Sequence, residues 1–206
     1  MQLFCYLCPM MKNIVFDLGG VVFWRNPKKC TQEFLDFFAF VRETPMPHFW
    51  NEYDRGSLSL DEVMEHLMAR SGFSHEKCVE FVQRAIEMQE PIRPTEQLIE
   101  ALKADGRYRL YVLSNMSCEF IEFLRRVPVY RHFDGEVVSC EEGICKPERE
   151  IYRLLLDRYA LNPSETLFID DRPENVEAAE REGIVGFHYN RRDEQGTCDQ
   201  LRKMLL

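Results

Sequence analysis

Polar side chains with catalytic potential follow three short apolar runs of the chain. Asp17 follows residues 14–16, Ser114 follows residues 110–113, and Asp170 and Asp171 follow residues 166–169. Unbroken apolar runs of this length are typical of strands that are buried on both faces of a parallel sheet. Because the carboxyl ends of parallel strands lie at one edge of the sheet, we expect these side chains to converge.

Converging carboxylates repel one another unless one keeps its proton or a cation neutralises them. A hard divalent cation that is held by few carboxylates, with room for water and phosphate, is most consistent with Mg²⁺. Lys146 lies directly before Pro147, a residue that favours the first turn of a helix. The helix dipole disfavours an ammonium group there, so we expect Lys146 to have an anionic partner, for which Asp17 is the candidate.

The two glycines after Asp17 support a site at this position. Gly19 and Gly20 let the backbone turn tightly and approach a ligand closely, which side chains at these positions would hinder. Asp before glycine is also ordinary turn chemistry, and an acidic pair is equally suited to cap a following helix. Each motif alone is therefore weak, and the prediction depends on their occurrence together.

The elements that must position these residues alternate between strands and helices. Strands are predicted at 14–16, 110–113, 135–139, 166–169 and 184–188, and helices at 95–104, 117–126, 147–159 and 174–182. This alternation predicts an α/β fold, a Rossmann-like parallel sheet with helices on both faces. The tail at 191–206 is expected to form a surface loop and a short helix.

The chain between the first two strands has a different pattern. Residues 31–41 place apolar side chains on one helical face, Ser59 and Glu62 match a capping box, and Gly72 supplies a helix stop. Another helix is expected after Ser74, and no strand is expected in this part of the chain. We predict an N-terminal extension at 1–10, a Rossmann-like core at 11–24 and 95–206, and a small all-helical domain at 25–94.

The composition limits the partners of the chain. Its 206 residues include 26 Lys and Arg against 35 Asp and Glu, a net charge of −9, whereas binding to a nucleic acid backbone needs a basic face. No apolar run approaches the roughly 20 residues that span a bilayer. The eight cysteines are scattered and are expected to be reduced thiols. We therefore predict a cytoplasmic protein, a monomer or a weak dimer, that binds neither nucleic acid nor membranes.

Four motifs occur in an order that indicates a family resemblance. They are Asp17-Leu18-Gly19-Gly20-Val21, Leu113-Ser114-Asn115, Lys146-Pro147, and Ile169-Asp170-Asp171 with Asn175. Over about residues 12–190 the set resembles the haloacid dehalogenase superfamily. The helical segment after the first motif resembles the cap that closes over the active site in that superfamily and selects the substrate. Most members with this layout are Mg²⁺-dependent phosphatases.

The resemblance implies a nucleophile and a metal site. Asp17 would attack the phosphorus atom of the substrate and form an aspartyl-phosphate, which splits one difficult displacement into two easier ones. Mg²⁺ would be bound by Asp17, the backbone carbonyl of Gly19 and Asp171. Asp170 would act from outside these ligands or through a water molecule.

The resemblance also implies how the substrate is bound. Ser114, Asn115 and the neighbouring backbone would hydrogen-bond the phosphate oxygens, and Lys146 would balance the charge of the nucleophile and the phosphoryl group. The expected substrate is a small phosphorylated metabolite, with a sugar phosphate as the leading candidate. Arg25 lies just past the catalytic loop and is a candidate to bind it, slightly better placed than Trp50. Trp50 is expected to pack in the helical core.

The first motif departs from the superfamily pattern at one position. Many phosphatases and mutases of the superfamily carry Asp two residues after the nucleophile, where it protonates the leaving oxygen and activates water, whereas this chain has Gly19. General acid–base catalysis of this kind is typically worth about 10²–10⁴ in rate. We therefore expect no mutase activity, and a phosphatase that needs a good leaving group or a proton from water or the substrate.

Two other functions stay open. Dehalogenases of the superfamily also lack this Asp, so Asp17 could displace halide from a 2-haloacid without Mg²⁺. A non-catalytic module that binds a phosphometabolite or a protein is the third hypothesis. A receiver domain is excluded because its acidic pair precedes the phospho-acceptor, whereas the acidic pair of this chain comes last.

Overall fold

The computed structural model describes residues 11–43 and 45–206, and the extension predicted at 1–10 lies outside them. The strands are β1 (Asn13–Phe16), β2 (Phe23–Arg25), β3 (Gln89–Pro91), β4 (Arg109–Ser114), β5 (Gly135–Val138), β6 (Thr166–Asp170) and β7 (Val185–His188). The helices are α1 (Gln32–Phe37), α2 (His48–Arg55), α3 (Leu60–Ser71), α4 (His75–Glu87), α5 (Arg93–Asp105), α6 (Cys118–Leu124), α7 (Ser139–Glu142), α8 (Arg149–Arg158), α9 (Pro173–Arg181) and α10 (Glu194–Leu205).

Five strands form a parallel sheet in the order β5-β4-β1-β6-β7. The central strand β1 pairs with β4 on one side and β6 on the other, and Phe16 is aligned with Val112 and Ile169. Alternate residues of β1 enter different cores: Ile14 packs with α5, α6 and α10, whereas Val15 packs with α8 and α9. The predicted α/β fold, a Rossmann-like parallel sheet with helices on both faces, is confirmed.

Helices α1 to α4 form a separate apolar cluster that is rich in aromatic rings. Trp50 is 7% exposed and packs edge-on against Phe38 and Phe40 within this cluster. Helix α3 begins with the predicted capping box of Ser59 and Glu62. The insertion is therefore held together largely by its own side chains.

The expectation of an all-helical segment at 25–94 is wrong at both ends. Strands β2 and β3 pair antiparallel where the chain leaves the core and returns to it. Each of these strands has three residues, which is too short to produce a recognisable alternation in the sequence. The pairing joins the two connections between core and insertion.

Two helix predictions also need correction. Helix α8 begins at Arg149 rather than at Pro147, because a turn in which Glu148 N donates to Cys145 O at 2.8 Å precedes it. The tail forms the 12-residue helix α10, whose Cys198 and Leu201 are fully buried in the core, rather than a surface loop with a short helix. In the part of the chain that the structure describes, no helix is both long and apolar enough to cross a bilayer.

Candidate active site

The predicted polar residues meet at the carboxyl edge of the sheet. Asp17 directly follows β1, Ser114 ends β4, and Asp170 ends β6. Since these strands are parallel and in register, their ends lie side by side. Each of the three residues is 6% exposed or less, so the predicted convergence produces a buried polar cluster.

Asp17 has one fixed and one free carboxylate oxygen. Its Oδ1 accepts hydrogen bonds from Ser114 Oγ at 3.0 Å and from Lys146 Nζ at 2.7 Å, whereas Oδ2 accepts none from residues 11–43 and 45–206. Burial raises the pKa of Asp17 to about 7; Lys146 lowers this pKa, and the carboxylates of Asp170 and Asp171 raise it further. An ionised Asp17 at neutral pH therefore needs more positive charge than Lys146 supplies.

Lys146 links the strand ends. Its ammonium group donates to Asp17 Oδ1 and Asp170 Oδ2, both at 2.7 Å, and to the backbone oxygen of Leu113 at 2.9 Å. Burial disfavours the charge on Lys146, but the two carboxylates outweigh this effect and raise its pKa. Asp17 is thus the anionic partner that the sequence predicted, and Asp170 shares the same ammonium group.

The side chain of Asn115 holds Lys146 in position. Its Nδ2 donates to the backbone oxygen of Lys146 at 2.9 Å, and its Oδ1 accepts from the backbone N–H of Lys146 at 2.7 Å. This pair of hydrogen bonds fixes the connection after Cys145 against the end of β4. Binding of phosphate by Asn115 stays a prediction.

Asp170 and Asp171 have different surroundings. The carboxylate of Asp170 accepts hydrogen bonds from Lys146, from Asn175 Nδ2 at 3.0 and 3.2 Å, and from the backbone N–H of Arg172 at 2.8 Å. Within the described ranges, the carboxylate of Asp171 has one donor, Arg191 at 3.0 Å. Asp170 is therefore suited to orienting the site, and Asp171 is suited to binding a ligand.

The site has the composition of a divalent cation site. One carboxylate oxygen each from Asp17, Asp170 and Asp171 lie within 4.8 Å of one another. The backbone carbonyl of Gly19 accepts no hydrogen bond from the residues described, so a further oxygen is available. Hard oxygen donors at this spacing, with an excess of negative charge, fit Mg²⁺.

The two glycines of the first motif have different structural roles. Gly20 has a φ of +85°, and a Cβ there would lie 2.8 Å from Nε of Arg191, so glycine is required. A Cβ at Gly19 would meet nothing within 4 Å, so the turn itself does not require glycine there, whereas hindrance of a ligand by a side chain at this position stays a prediction. Space for a side chain therefore exists next to Asp17.

The strand ends open into a cavity of about 640 Å³ between the core and the insertion. The residues that line it include Asp17, Gly19, Asn115, Lys146, Asp171 and Arg172 from the core, and His48, Asn51, Asp54 and Arg55 from α2. Most of these side chains are polar or charged. The cavity is therefore suited to a small, charged and hydroxylated ligand.

Arg25 lies in an adjoining cavity of about 230 Å³. Its guanidinium group packs over the ring of Phe38, 4.7 Å from the ring centroid, and burial lowers its pKa to about 10. The two cavities share Gly19, Met46, Arg172 and Arg191. Contact between Arg25 and a substrate therefore stays a prediction, for a substrate that extends into the smaller cavity.

Helix α2 is attached to the core on both sides of Asp54. The hydroxyl group of Tyr53 donates to Glu119 at 2.8 Å, and Arg55 donates to both carboxylate oxygens of Glu148 at 2.5 and 3.2 Å. Gly56, with a φ of +80°, ends the helix where a Cβ would collide with the backbone of Cys140. This end of α2 is therefore seated closely on the core.

Several residues that line the site were missed in the sequence. Asp54, Arg172 and Arg191 line the cavity, and Arg191 forms the ion pair with Asp171. The signal for Asp54 is its position four residues after Trp50, since an acid on the buried face of an amphipathic helix is unusual. Nothing in the local sequence distinguishes the two arginines from surface residues.

Comparison with protein families agrees with this geometry. The model of the family "haloacid dehalogenase-like hydrolase" matches residues 11–183. The match covers most of the chain and every residue of the site described above except Arg191. This chain belongs to the haloacid dehalogenase-like hydrolase family.

Similar proteins include two phosphatases. Sesquiterpene phosphatase astK of Aspergillus oryzae is 29% identical over 200 residues, which cover 97% of this chain and 99% of that protein. D-Ribitol-5-phosphate phosphatase of Bacteroides thetaiotaomicron is 27% identical over 193 residues, which cover 86% of this chain and 91% of that protein.

A solved structure shows the same fold. It is a HAD-family enzyme from Bacteroides thetaiotaomicron in complex with magnesium and inorganic phosphate. The two chains superpose with a TM-score of 0.69 at 22% identity, over 88% of this chain and 95% of that chain.

Proposed function

We propose that this protein is a Mg²⁺-dependent phosphatase that hydrolyses a small phosphorylated metabolite through an aspartyl-phosphate at Asp17. The observation that carries the proposal is the asymmetry of the Asp17 carboxylate. Lys146 and Ser114 hold Oδ1, whereas Oδ2 has no donor among the described residues and belongs to a side chain that lines the cavity. The two phosphatases among the relatives support the same reaction.

The metal would be held by Asp17, the carbonyl of Gly19 and Asp171. When bound, Mg²⁺ supplies positive charge that screens the nucleophile from the phosphate and stabilises the charge of the transferring group. Asp170 would act from behind these ligands, because Lys146 and Asn175 already engage its oxygens.

The residues of the chain act in two successive displacements. Asp17 Oδ2 attacks phosphorus and the alcohol leaves, which gives an aspartyl-phosphate; water then attacks this phosphorus and releases inorganic phosphate. Ser114 and Lys146 fix Oδ1, so that Oδ2 keeps one orientation. The backbone N–H groups of Leu18 and Gly19 have no acceptor within the described residues and are available to phosphate oxygens.

The polar lining of the larger cavity favours a sugar or polyol phosphate as the substrate. His48 and Asn51 of α2 and Glu174 of α9 supply hydrogen-bonding groups beside the reactive edge. Ribitol 5-phosphate, the substrate in the name of one relative, has this chemistry.

An isoprenoid phosphate is the second candidate substrate. The smaller cavity is lined by the apolar side chains Phe23, Trp24, Phe34, Phe38 and Met46 and adjoins the site at Gly19. An apolar chain could enter this cavity while its phosphate stays at Asp17. The similarity to a sesquiterpene phosphatase supports this alternative.

The other two functions considered from the sequence are less well supported. A dehalogenase of the same fold would use Asp17 without a metal, but the clustered carboxylates fit a cation. A non-catalytic module would not need a free nucleophilic oxygen in a cavity.

The proposed arrangement further comprises a catalytic core at 11–24 and 95–206 and a cap at 25–94, in a cytoplasmic protein that is a monomer or a weak dimer and does not bind nucleic acid.

The function is tested by phosphate release from p-nitrophenyl phosphate and from a panel that includes ribitol 5-phosphate and farnesyl phosphate. We expect release with Mg²⁺, none with EDTA, and none from Asp17→Asn. Asp36→Asn, which removes a carboxylate in the cap, serves as the matched control and should retain activity.

Halide release from a 2-haloacid without metal would replace this proposal with the dehalogenase function. No release from any phosphate, with Mg²⁺ still bound, would favour the non-catalytic module. A higher kcat/KM for farnesyl phosphate than for ribitol 5-phosphate would select the isoprenoid substrate.

A further inference from the structure

Hydrolysis of an ordinary phosphate ester needs a proton for the leaving oxygen, and the site at the sheet edge does not supply one. The ammonium hydrogens of Lys146 are engaged by Asp17, Asp170 and the Leu113 carbonyl. Gly19 has no side chain. A proton donor supplied by the protein would therefore have to come from another part of the cavity wall.

Asp54 of α2 is placed for this role. Its side chain lines the same cavity as Asp17 and Lys146 and is half-buried. Asp54 and Asp17 thus face one cavity from opposite sides, Asp54 from the insertion and Asp17 from the sheet edge. Within the described residues Asp54 forms no ion pair, and a hydrogen bond from the Ser117 backbone helps to orient its carboxyl group.

The other titratable side chains on the cavity wall are less suited. Apart from the sheet-edge residues and the arginines, they are Glu43, His48, Glu52, Cys145, Glu148 and Glu174. Glu52 and Glu148 are ion-paired with Arg55, and Glu43 with Arg70. His48 and Glu174 are exposed, and burial raises the pKa of the Cys145 thiol to about 11. Asp54 is therefore the remaining carboxyl group that lines the cavity without an ion-pair partner among the described residues and without full exposure to solvent.

The protonation of Asp54 is consistent with proton exchange at neutral pH. Burial raises its pKa to about 7, the charge of Arg172 and a hydrogen bond from the Ser117 backbone lower this pKa, and Asp17 raises it. Groups with a pKa near the working pH are the most effective general acids and bases.

We infer that Asp54 is the general acid–base of the proposed phosphatase reaction and performs from the cap what the superfamily's second Asp performs from the position of Gly19. As Asp17 Oδ2 bonds to phosphorus, the bond from phosphorus to the leaving oxygen breaks, its electron pair stays on that oxygen, and Asp54 gives it a proton. Asp54 then takes a proton from the attacking water as the bond from phosphorus to Asp17 breaks. Alcohol and inorganic phosphate are released, and both aspartates return to their starting states.

The structure explains why a residue of the cap can perform this role. Tyr53 and Arg55, the neighbours of Asp54, are bonded to Glu119 and Glu148 of the core. The carboxyl group of Asp54 is therefore held at a fixed position relative to the sheet edge, as general acid catalysis requires.

The inference is tested with two substrates of nearly the same shape, phenyl phosphate and p-nitrophenyl phosphate. Nitrophenol is the more acidic leaving group and has less need of a proton. We expect Asp54→Asn to lower kcat/KM for phenyl phosphate by about 10²-fold or more and to affect p-nitrophenyl phosphate by about fivefold or less. A burst of nitrophenolate, followed by slower turnover, would show the loss of the general base.

Asp61→Asn is the control, since it removes one negative charge from an exposed side chain of the insertion that does not line the cavity. It should change kcat/KM for both substrates by the same factor. An equal loss with both substrates in Asp54→Asn, or no loss with either, would overturn the inference.

The double variant Gly19→Asp, Asp54→Asn separates proton transfer from structure. A Cβ at Gly19 has open space around it, so a carboxyl group can be placed on the core side of the cavity. We expect at least tenfold recovery of kcat/KM for phenyl phosphate, and no recovery would count against a role in proton transfer. Because the inference rests on the proposed function, wild-type activity comes first: its absence refutes the phosphatase, whereas activity without discrimination by Asp54→Asn refutes only the role of Asp54.

Discussion

The sheet edge and the helical cap each contribute an aspartate to the cavity, but they hold it in different ways. On the core side, Asp17 is buried and fixed by Ser114 and Lys146 at the ends of paired strands. On the cap side, Asp54 depends on contacts that its neighbours Tyr53 and Arg55 make across the interface. Backbone pairing thus builds the nucleophile's site, whereas side-chain contacts between two parts of the chain position the proposed proton donor.

The first way to test this difference is to remove the central cation of the core. Lys146→Met should abolish phosphate release and lower the free energy of unfolding by about 3–5 kcal/mol, because two buried carboxylates lose their partner. Urea unfolding measures the stability. Lys103→Met, which removes the partly exposed partner of Asp134, should cost about 1 kcal/mol or less. Similar losses of unfolding free energy in the two variants would contradict a central role for Lys146 in the buried cluster with Asp17 and Asp170.

The second test loosens the cap side. Arg55→Met should lower kcat/KM for phenyl phosphate by roughly tenfold, because Asp54 loses its fixed position. Stability should fall by no more than about 1 kcal/mol, since the Arg55–Glu148 pair is partly exposed. Glu148→Gln should give a similar effect, and the double variant should be no worse than either single variant. If the losses in kcat/KM of the two single variants added up in the double variant, Arg55 and Glu148 would not act as one unit.

A smaller effect is expected from Gly19→Asp in the otherwise unchanged protein. The φ of Gly19 is outside the left-handed region and a Cβ meets no atom, so the variant should fold with about the same melting temperature. Activity should change by about threefold or less, with any gain on poor leaving groups. A complete loss of activity with intact metal binding would show that Gly19 has a role other than leaving space.

The smallest effect concerns stability and pH in the metal-free protein. The raised pKa of Asp54 means that the folded state retains a proton that the unfolded state releases, so stability falls as pH rises from about 4 to about 7. In Asp54→Asn this pH-dependent fall in stability is absent, because the amide does not titrate. Its melting temperature in EDTA should exceed that of the wild type by a few degrees at pH 8 and by much less at pH 4. Asp61→Asn, which changes an exposed carboxylate, should show no increase in melting temperature over the wild type that becomes larger as pH rises.

The core and its site could be predicted because each depends on local signals. Apolar runs marked the central strands, and Asp17, Ser114 and Asp170 lie where those runs end. Lys146 was predicted with the correct partner, Asp17, although helix α8 begins three residues after Lys146. The pairing depends on the balance of charge between the two side chains and not on the exact start of the helix. The features of the site that follow from the parallel pairing of the strands could therefore be predicted from the sequence.

The missed features depend on contacts between distant segments. The β2–β3 ribbon joins residues more than 60 positions apart through three-residue strands, and helix α10 covers the core from the end of the chain. Asp54 was missed because its role depends on how α2 is seated against Glu119 and Glu148. Arg191 likewise reaches Asp171 only through the fold.

The most direct test of the account is to identify the residue that receives the phosphoryl group. The enzyme is mixed with p-nitrophenyl phosphate and Mg²⁺, quenched in acid within the first turnovers, digested, and examined by mass spectrometry. We predict phosphate on the peptide that contains Asp17, at a higher level in Asp54→Asn, in which hydrolysis of the intermediate is slowed. Turnover without a phosphorylated Asp17 peptide, or phosphate on another residue, would contradict the central claim.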